Sequence, residues 1–249
     1  KFDSENSLKY FQTAEEKNLT NAALYLEWGK VLEKFEKYDE AKSKLLKALE
    51  LDAENVEINS YLGLCCAARK ELDEAKPLLE KALEKEPENK VVKQALGIIA
   101  YENDETYKAL ELLRSDDEDA VNSYYLAKCY EKLNNDTKVK DYYENAILFN
   151  PKYIAAFTDY SRYLVSRNEF PEAQRKLRKA LKADENNAAL LNLMFYASYI
   201  LVKENLCEYN VKETLSIAEK IENIDRNLFE YPEQKAELTA ILHNNSERN

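Results

Sequence analysis

The three glycines of this 249-residue chain stand at positions 29, 63 and 97, two equal steps of 34 residues. Each follows a large apolar residue (Trp28, Leu62, Leu96), and twelve residues after each comes an alanine (Ala41, Ala75, Ala109). Seven beyond the first two of these come Ala48 and Ala82, with Leu45 and Leu79 between. The same frame resumes with Leu126, Ala127, Tyr143, Ala146 and Pro151, then with Tyr160, Ser161, Ala173, Leu177 and Ala180. Self-similarity at this period marks one supersecondary unit copied along the chain. A mid-helix glycine costs roughly 1 kcal/mol against alanine, so three at one frame position imply that two backbones approach closely there.

Composition says what the copied unit is made of. With only three glycines and five prolines, the chain builds neither a glycine-rich phosphate loop nor a sheet with many tight turns. A hydrophobic share of 45% is too high for a wholly disordered chain. No apolar run of about 18 residues is present, so no membrane insertion is expected. A net charge of −11 argues against nucleic acid, whose phosphates need basic partners. The remaining abundance of Ala, Leu, Glu and Lys favours helix throughout.

Each unit then reads as two helices, A and B, joined by a short turn such as KYDE (37–40) or KELDE (70–74). Large residues at frame positions 7, 11 and 24 fill the space between helices. Small ones at 8, 20 and 27 let ridges enter grooves. The pattern resembles the tetratricopeptide repeat family, carried by NAALYLEWGKVLEKFEKYDEAKSKLLKALELDAEN (21–55) and LEKALEKEPEN (79–89), with Pro87 at the family's inter-repeat proline. The resemblance extends over residues 5–224 and implies an all-α fold, a right-handed superhelix (α-solenoid) of antiparallel helix pairs in a single array over 1–249. The units are 22–55, 56–89, 90–119, 120–153 and 154–187, with an irregular sixth at 188–224. Residues 5–18 match only a B helix, of an incomplete first repeat or an N-terminal cap. The first of these, with further repeats upstream, is the expectation. Residues 231–243 supply a C-terminal capping helix. The third unit is four residues short, about one helical turn, so its B helix, near 105–115, is expected to be shortened. Acidic residues at 117–119 are placed to cap the A helix that begins near Ala120.

Catalytic constellations are scarce. One histidine, His243, supports neither a Ser–His nor a Cys–His arrangement. Cys65, Cys66, Cys129 and Cys207 lack metal-ligand spacing and read as buried structural residues. Acidic side chains read as ordinary helix-surface charge, for instance Glu33 with Lys37, or Glu80 and Glu84 beside Lys81 and Lys85. DDED (116–119) reads as helix capping, with a partner contact or a phosphorylation site at Ser115 as the alternatives. No cofactor and no metal are expected, and the chain is not expected to be an enzyme.

The resemblance places frame positions 2, 5, 9 and 12 of the A helices on a concave groove, one helical stripe by their spacing. The candidate peptide-binding residues are Leu64, Gln94, Ile98, Tyr101, Tyr124, Lys128, Thr158 and Arg162. They form an apolar centre beside a basic pair, Lys128 and Arg162, which share frame position 9. That pair suits an acidic side chain or terminal carboxylate of a peptide; pairing of Lys128 with Glu131 or Asp159 is the alternative. The family's carboxylate-clamp residues are absent as a set, and position 6 (Glu27, Tyr61, Ala95, Tyr125, Asp159, Leu193) carries no asparagine ladder. The expected function is a non-catalytic protein–protein interaction scaffold holding a protein or peptide partner in its groove. The alternatives are the recognition arm of a multidomain enzyme and a structural subunit of a large assembly. Oligomeric state is not readable, and of compartments the cytoplasm is slightly favoured.

Overall fold

Asparagine repeats at the same step as glycine. Asn21, Asn55 and Asn89 each turn a side-chain oxygen onto the first free amides of a helix: Leu24 N at 2.8 Å, Glu57 N and Ile58 N at 3.1 and 3.2 Å, and Val92 N at 3.1 Å. Each such cap contributes about 1 kcal/mol to helix stability. A computed structural model describes residues 4–35, 37–114, 119–204 and 208–246. Among them it places fourteen α-helices and a 3-10 turn, and no strand. The A helices are α2 (Ala22–Lys34), α4 (Val56–Ala68), α6 (Lys90–Glu102), α8 (Ala120–Lys132), α10 (Ile154–Ser166) and α12 (Ala188–Glu204). The B helices are α1 (Ser4–Glu16), α3 (Tyr38–Leu51), α5 (Leu72–Lys85), α7 (Thr106–Leu113), α9 (Asp136–Phe149), α11 (Phe170–Leu181) and α13 (Glu208–Asp225). The turn Arg226–Leu228 and α14 (Pro232–Ser246) follow. Helix α7 has 8 residues where α3, α5 and α9 have 14.

The A helices stop without glycine. Lys70, Asp104, Asn134 and Asn168 take left-handed backbone, with φ of 65°, 61°, 52° and 61°. After Lys70, Asp104 and Asn168, the next amide reaches back five residues: Glu71 to Cys66, Glu105 to Ala100 and Glu169 to Leu164, at 2.8–2.9 Å. This motif closes the last carbonyls of a helix. Asn and Asp tolerate the conformation through local hydrogen bonding; Lys70 lacks that help. At the other end of α8, the Asn122 amide donates to Asp119 Oδ1 at 2.6 Å, so Asp119 acts as a cap. Residues 115–118, Ser115 among them, lie outside the described residues.

The chain divides within α8 into two compact units, residues 1–117 with 128–134, and 118–127 with 135–249. In the first, the glycines have a packing cause. A Cβ on Gly29, Gly63 or Gly97 would stand 2.5–2.6 Å from the Cγ of Leu45, Leu79 or Leu113 respectively. Those leucines are fully enclosed. Trp28, Leu62, Leu45 and Leu79 belong to one buried cluster.

In the second unit, larger residues take the same places. Ala127 and Ser161 hold the glycine's frame position, and Tyr143 and Leu177 hold the leucine's, all buried. Tyr143 stacks on Tyr160 at 5.2 Å. Ser161 Oγ is buried with no hydrogen-bond partner among the described residues. Ser161→Ala is therefore expected to raise stability by about 1 kcal/mol, because it removes an uncompensated desolvation cost. Denaturant unfolding checks it; a loss of stability would mean that the hydroxyl has a use.

Lysines on B helices tie each helix to the start of the next. Lys42 bonds Glu71 at 2.8 Å, Lys76 bonds Glu105 at 3.2 Å, and Lys140 bonds Glu169 at 2.7 Å, each pair 29 residues apart. Pairs three residues apart, such as Lys30 with Glu27 and Arg175 with Glu172, stand beside these, but the particular ones expected are replaced. Glu80 meets Lys108, and Lys81 meets Glu54. Lys37 meets Glu40, not Glu33. Such pairs add little energy when exposed, but they distinguish one repeat register from another.

Helix α1 is docked by charge as well as by Phe11, which stacks on Trp28 at 5.6 Å. Hydrogen bonds from Lys44 and Lys47 to Glu15 hold its carboxyl down at about 2, against an ordinary 4.5. A depressed folded-state value contributes stability above the unfolded pKa, and that contribution disappears as pH falls toward the folded one. Trp28, the single tryptophan, is expected to show a fluorescence change as pH falls from about 4.5 to about 2. Glu15→Gln should abolish that change.

Candidate functional site

The A helices of the first unit, α2, α4 and α6, enclose a cleft of about 450 Å³. Capping fixes the pitch of its walls, since Asn55 and Asn89 set where α4 and α6 begin. Leu64 and Tyr61 of α4 and Val91 of α6 give it an apolar surface. Glu33 of α2, Glu57 of α4 and Glu86 before α6 give it an acidic one. Lys30 stands next to it, bonded to Glu27 at 2.7 Å and Glu57 at 2.8 Å. Gln94 and Ile98, further along α6, are half-buried.

Tyr101, at the end of the α6 stripe, meets two lysines. Lys128 Nζ lies 5.7 Å from the ring centre and Lys132 Nζ lies 4.0 Å from it. Lys132 also bonds Asp104 at 2.6 Å. Burial raises the Tyr101 phenol above its ordinary value, against the pull of Lys132. The ring is a seat for cations, in which the quadrupole face stabilises the ammonium groups.

In the second unit, Tyr124 is buried rather than presented. Its ring contacts Tyr125, Tyr143 and Tyr153, with centres 5.1–6.2 Å apart. Its hydroxyl donates to Asp159 Oδ2 at 2.6 Å. Burial, then the Asp159 bond, push the phenol well above its ordinary value. Arg162 donates to the other oxygen of Asp159 at 2.6 Å and is exposed. Thr158 donates to Ile154 O in its own helix. Of the sequence-derived residues, the structure joins Tyr101 to Lys128, and Tyr124 to Arg162 through Asp159. Lys128 falls in the first unit and Arg162 in the second.

Two features lie beyond what the sequence pattern conveys. One is Glu33, which sits on the stripe but has the look of surface charge. The other is Asn192 of α12, whose side chain donates to Leu228 O at 2.7 Å and accepts from Glu230 N at 3.1 Å. The extended segment between is flanked by rings: Phe229 against Phe195 at 5.0 Å, and Tyr231 against Tyr196 at 5.1 Å. Phe195, too large for the small position of the frame, is fully buried there.

Cys65, Cys66 and Cys129 are buried free thiols. Burial pushes the Cys65 thiol up to about 12, and the Cys66 and Cys129 thiols up to about 11, away from the thiolate that reactivity needs. Cys207 lies outside the described residues. Cys66, Glu71 and Glu74 converge within 4.8 Å, as metal ligands do. Lys42 already bonds both carboxylates, at 2.8 and 2.7 Å, so an ammonium occupies the cation position. Among the described residues no helix is long and apolar enough to cross a membrane.

Stacked helix pairs, several of them closed by an asparagine cap or a left-handed turn, define a helical-repeat interaction scaffold. Residues 32–97 and 67–129 match the family model of the tetratricopeptide repeat, so this stretch is built of repeats of that family. No curated protein matches it at a significant level. Solved structures share the fold. PilF of Pseudomonas aeruginosa is similar with a TM-score of 0.68 and 19% identity, over 88% of this chain and 96% of that one. A tetratricopeptide repeat protein of Parabacteroides merdae gives 0.63 and 15%, over 97% and 93%. A chain of the APC/C Cut9–Hcn1 heterotetramer gives 0.70 and 14%; the match covers 95% of this chain but 45% of that one. Proteins of this repeat class are generally non-catalytic and bind protein partners.

Proposed function

We propose that the chain is a non-catalytic scaffold that holds an extended segment of a protein partner against the inner faces of its A helices. The observation carrying this reading is the cleft across α2, α4 and α6, about 450 Å³ in volume and partly apolar. A concave helical face that keeps partly exposed apolar side chains beside polar ones suits a peptide with alternating anchors. Leu64 is the central anchor, with Gln94 and Ile98 continuing the stripe along α6. Tyr101 and Lys128 form its basic end in the first unit, where an acidic side chain or terminal carboxylate is received. In the second unit Arg162 and Thr158 serve the same purpose, and buried Tyr124 orients Asp159 under the Arg162 guanidinium.

The test is selection of a displayed random dodecapeptide library on the purified protein, followed by fluorescence polarisation with the enriched peptides. Leu64→Trp, which fills the cleft, is expected to weaken binding at least tenfold, about 1.4 kcal/mol. Tyr107→Ser, on the exposed side of α7, is expected to leave it unchanged. Binding that follows Tyr107 and ignores Leu64 would move the function to the B-helix face.

A further inference from the structure

The charge of the cleft is one-sided. Its lining holds three carboxylates, on Glu33, Glu57 and Glu86, and no cationic side chain. Glu57 shares Lys30 with Glu27. Among the described residues, Glu86 accepts from a neutral donor, the Asn89 side-chain amide, at 3.0 Å. Glu33 has no hydrogen-bond or ion-pair partner among the described residues, although it is half-buried. Desolvation pushes its carboxyl above the ordinary value. A carboxylate held out of water without a partner costs folding free energy. Elsewhere in the first unit half-buried carboxylates are paired: Glu15 with Lys44 and Lys47, and Glu71 with Lys42 and Arg69. Glu33 departs from that habit on the wall of the cleft. It faces the same space as Leu64, Tyr61 and exposed Val91.

We infer that the first-unit cleft selects a basic–apolar segment: a Lys or Arg side chain of the bound partner pairs with Glu33, and an adjacent apolar residue lies on Leu64 and Val91. The inference rests on the peptide-binding reading above and names its ligand class. The side chain enters with its alkyl stem along Tyr61 and Leu64 and its charged end between Glu33 and Glu86, as long cationic side chains bury their stems. Lys30, kept protonated by Glu27 and Glu57, marks one edge and disfavours a second cation there. The acidic cleft and the basic end at Tyr101 and Lys128 thereby give the first unit a polarity, so that one peptide direction is preferred.

The same selected peptides test it. They are expected to carry Lys or Arg, and replacing that residue with Gln should weaken binding about tenfold. Glu33→Gln should weaken the parent peptide by a similar factor and leave the Gln-substituted peptide unaffected, so that the two changes are non-additive. Circular dichroism and thermal unfolding should show Glu33→Gln as folded and at least as stable as the parent, since it removes an uncompensated charge. Peptides that lose affinity with Leu64→Trp but ignore Glu33→Gln would overturn the basic specificity and leave the peptide-binding reading standing. Peptides that ignore both, or a selection that enriches none, would overturn both.

Discussion

Leu79→Ala lowers the stability of the first unit by about 2–5 kcal/mol, the usual cost of deleting a fully buried leucine. The side chain is wholly enclosed, and it fills the space that Gly63 leaves open: a Cβ at Gly63 would lie 2.6 Å from Leu79 Cγ and 2.8 Å from Cδ2. Gly63→Ala in the parent is accordingly destabilising, by about 1–2 kcal/mol, as overpacking outweighs the gain in helix propensity. In the Leu79→Ala background its sign reverses. The added methyl enters vacated space, and alanine contributes its propensity advantage of roughly 1 kcal/mol. Hydrogen exchange should show the Leu79→Ala loss concentrated in residues 56–102, because repeat arrays pass damage to nearest neighbours. Gly63→Ala destabilising to the same extent in both backgrounds would refute the paired packing.

The second large effect is expected at Tyr143, which has no exposed surface, stacks on Tyr160 and meets the edge of Tyr124 at 6.2 Å. Tyr143→Ala should cost about 3–5 kcal/mol, the range for a large buried aromatic. Tyr143→Leu installs the residue found at this frame position in Leu45 and Leu79, and should cost distinctly less. Urea unfolding measures both, and amide protection in 136–166 should fall with the first. Equal losses for alanine and leucine would mean that stacking, not volume, holds this core.

The frame of the repeat is legible in the sequence because it rests on steric exclusion. Gly29, Gly63 and Gly97 each face a leucine 16 residues on, and close approach of that leucine is what excludes a Cβ there. Helix starts at Asn21, Asn55 and Asn89 are equally periodic but less conspicuous, since asparagine is common elsewhere in the chain. The left-handed turn at Lys70 is not readable, because lysine has no preference for it and the demand comes from the closing bond of Glu71. The lysine bridges at 29 residues are invisible when charge is followed along single helices, whereas the partner stands at the start of the next B helix. The site is harder. Lys128 and Arg162 share a frame position; the Tyr101 ring stands beside the first and the Asp159 carboxylate bonds the second. Frame position fixes where a side chain leaves the helix, not which neighbour reaches it.

Asn192 has a consequence for the second unit. Its amide meets a carbonyl at Leu228 and an N–H at Glu230, which is how a side chain reads polypeptide backbone irrespective of sequence. That face of α12 is therefore a receptor already loaded with the chain's own main chain. A version cut after Asp225 would expose Phe195 and Tyr196 together with an amide lacking both bonds. Such a surface would offer backbone partners and ring faces to other extended segments, and the residues beyond α13 keep it covered.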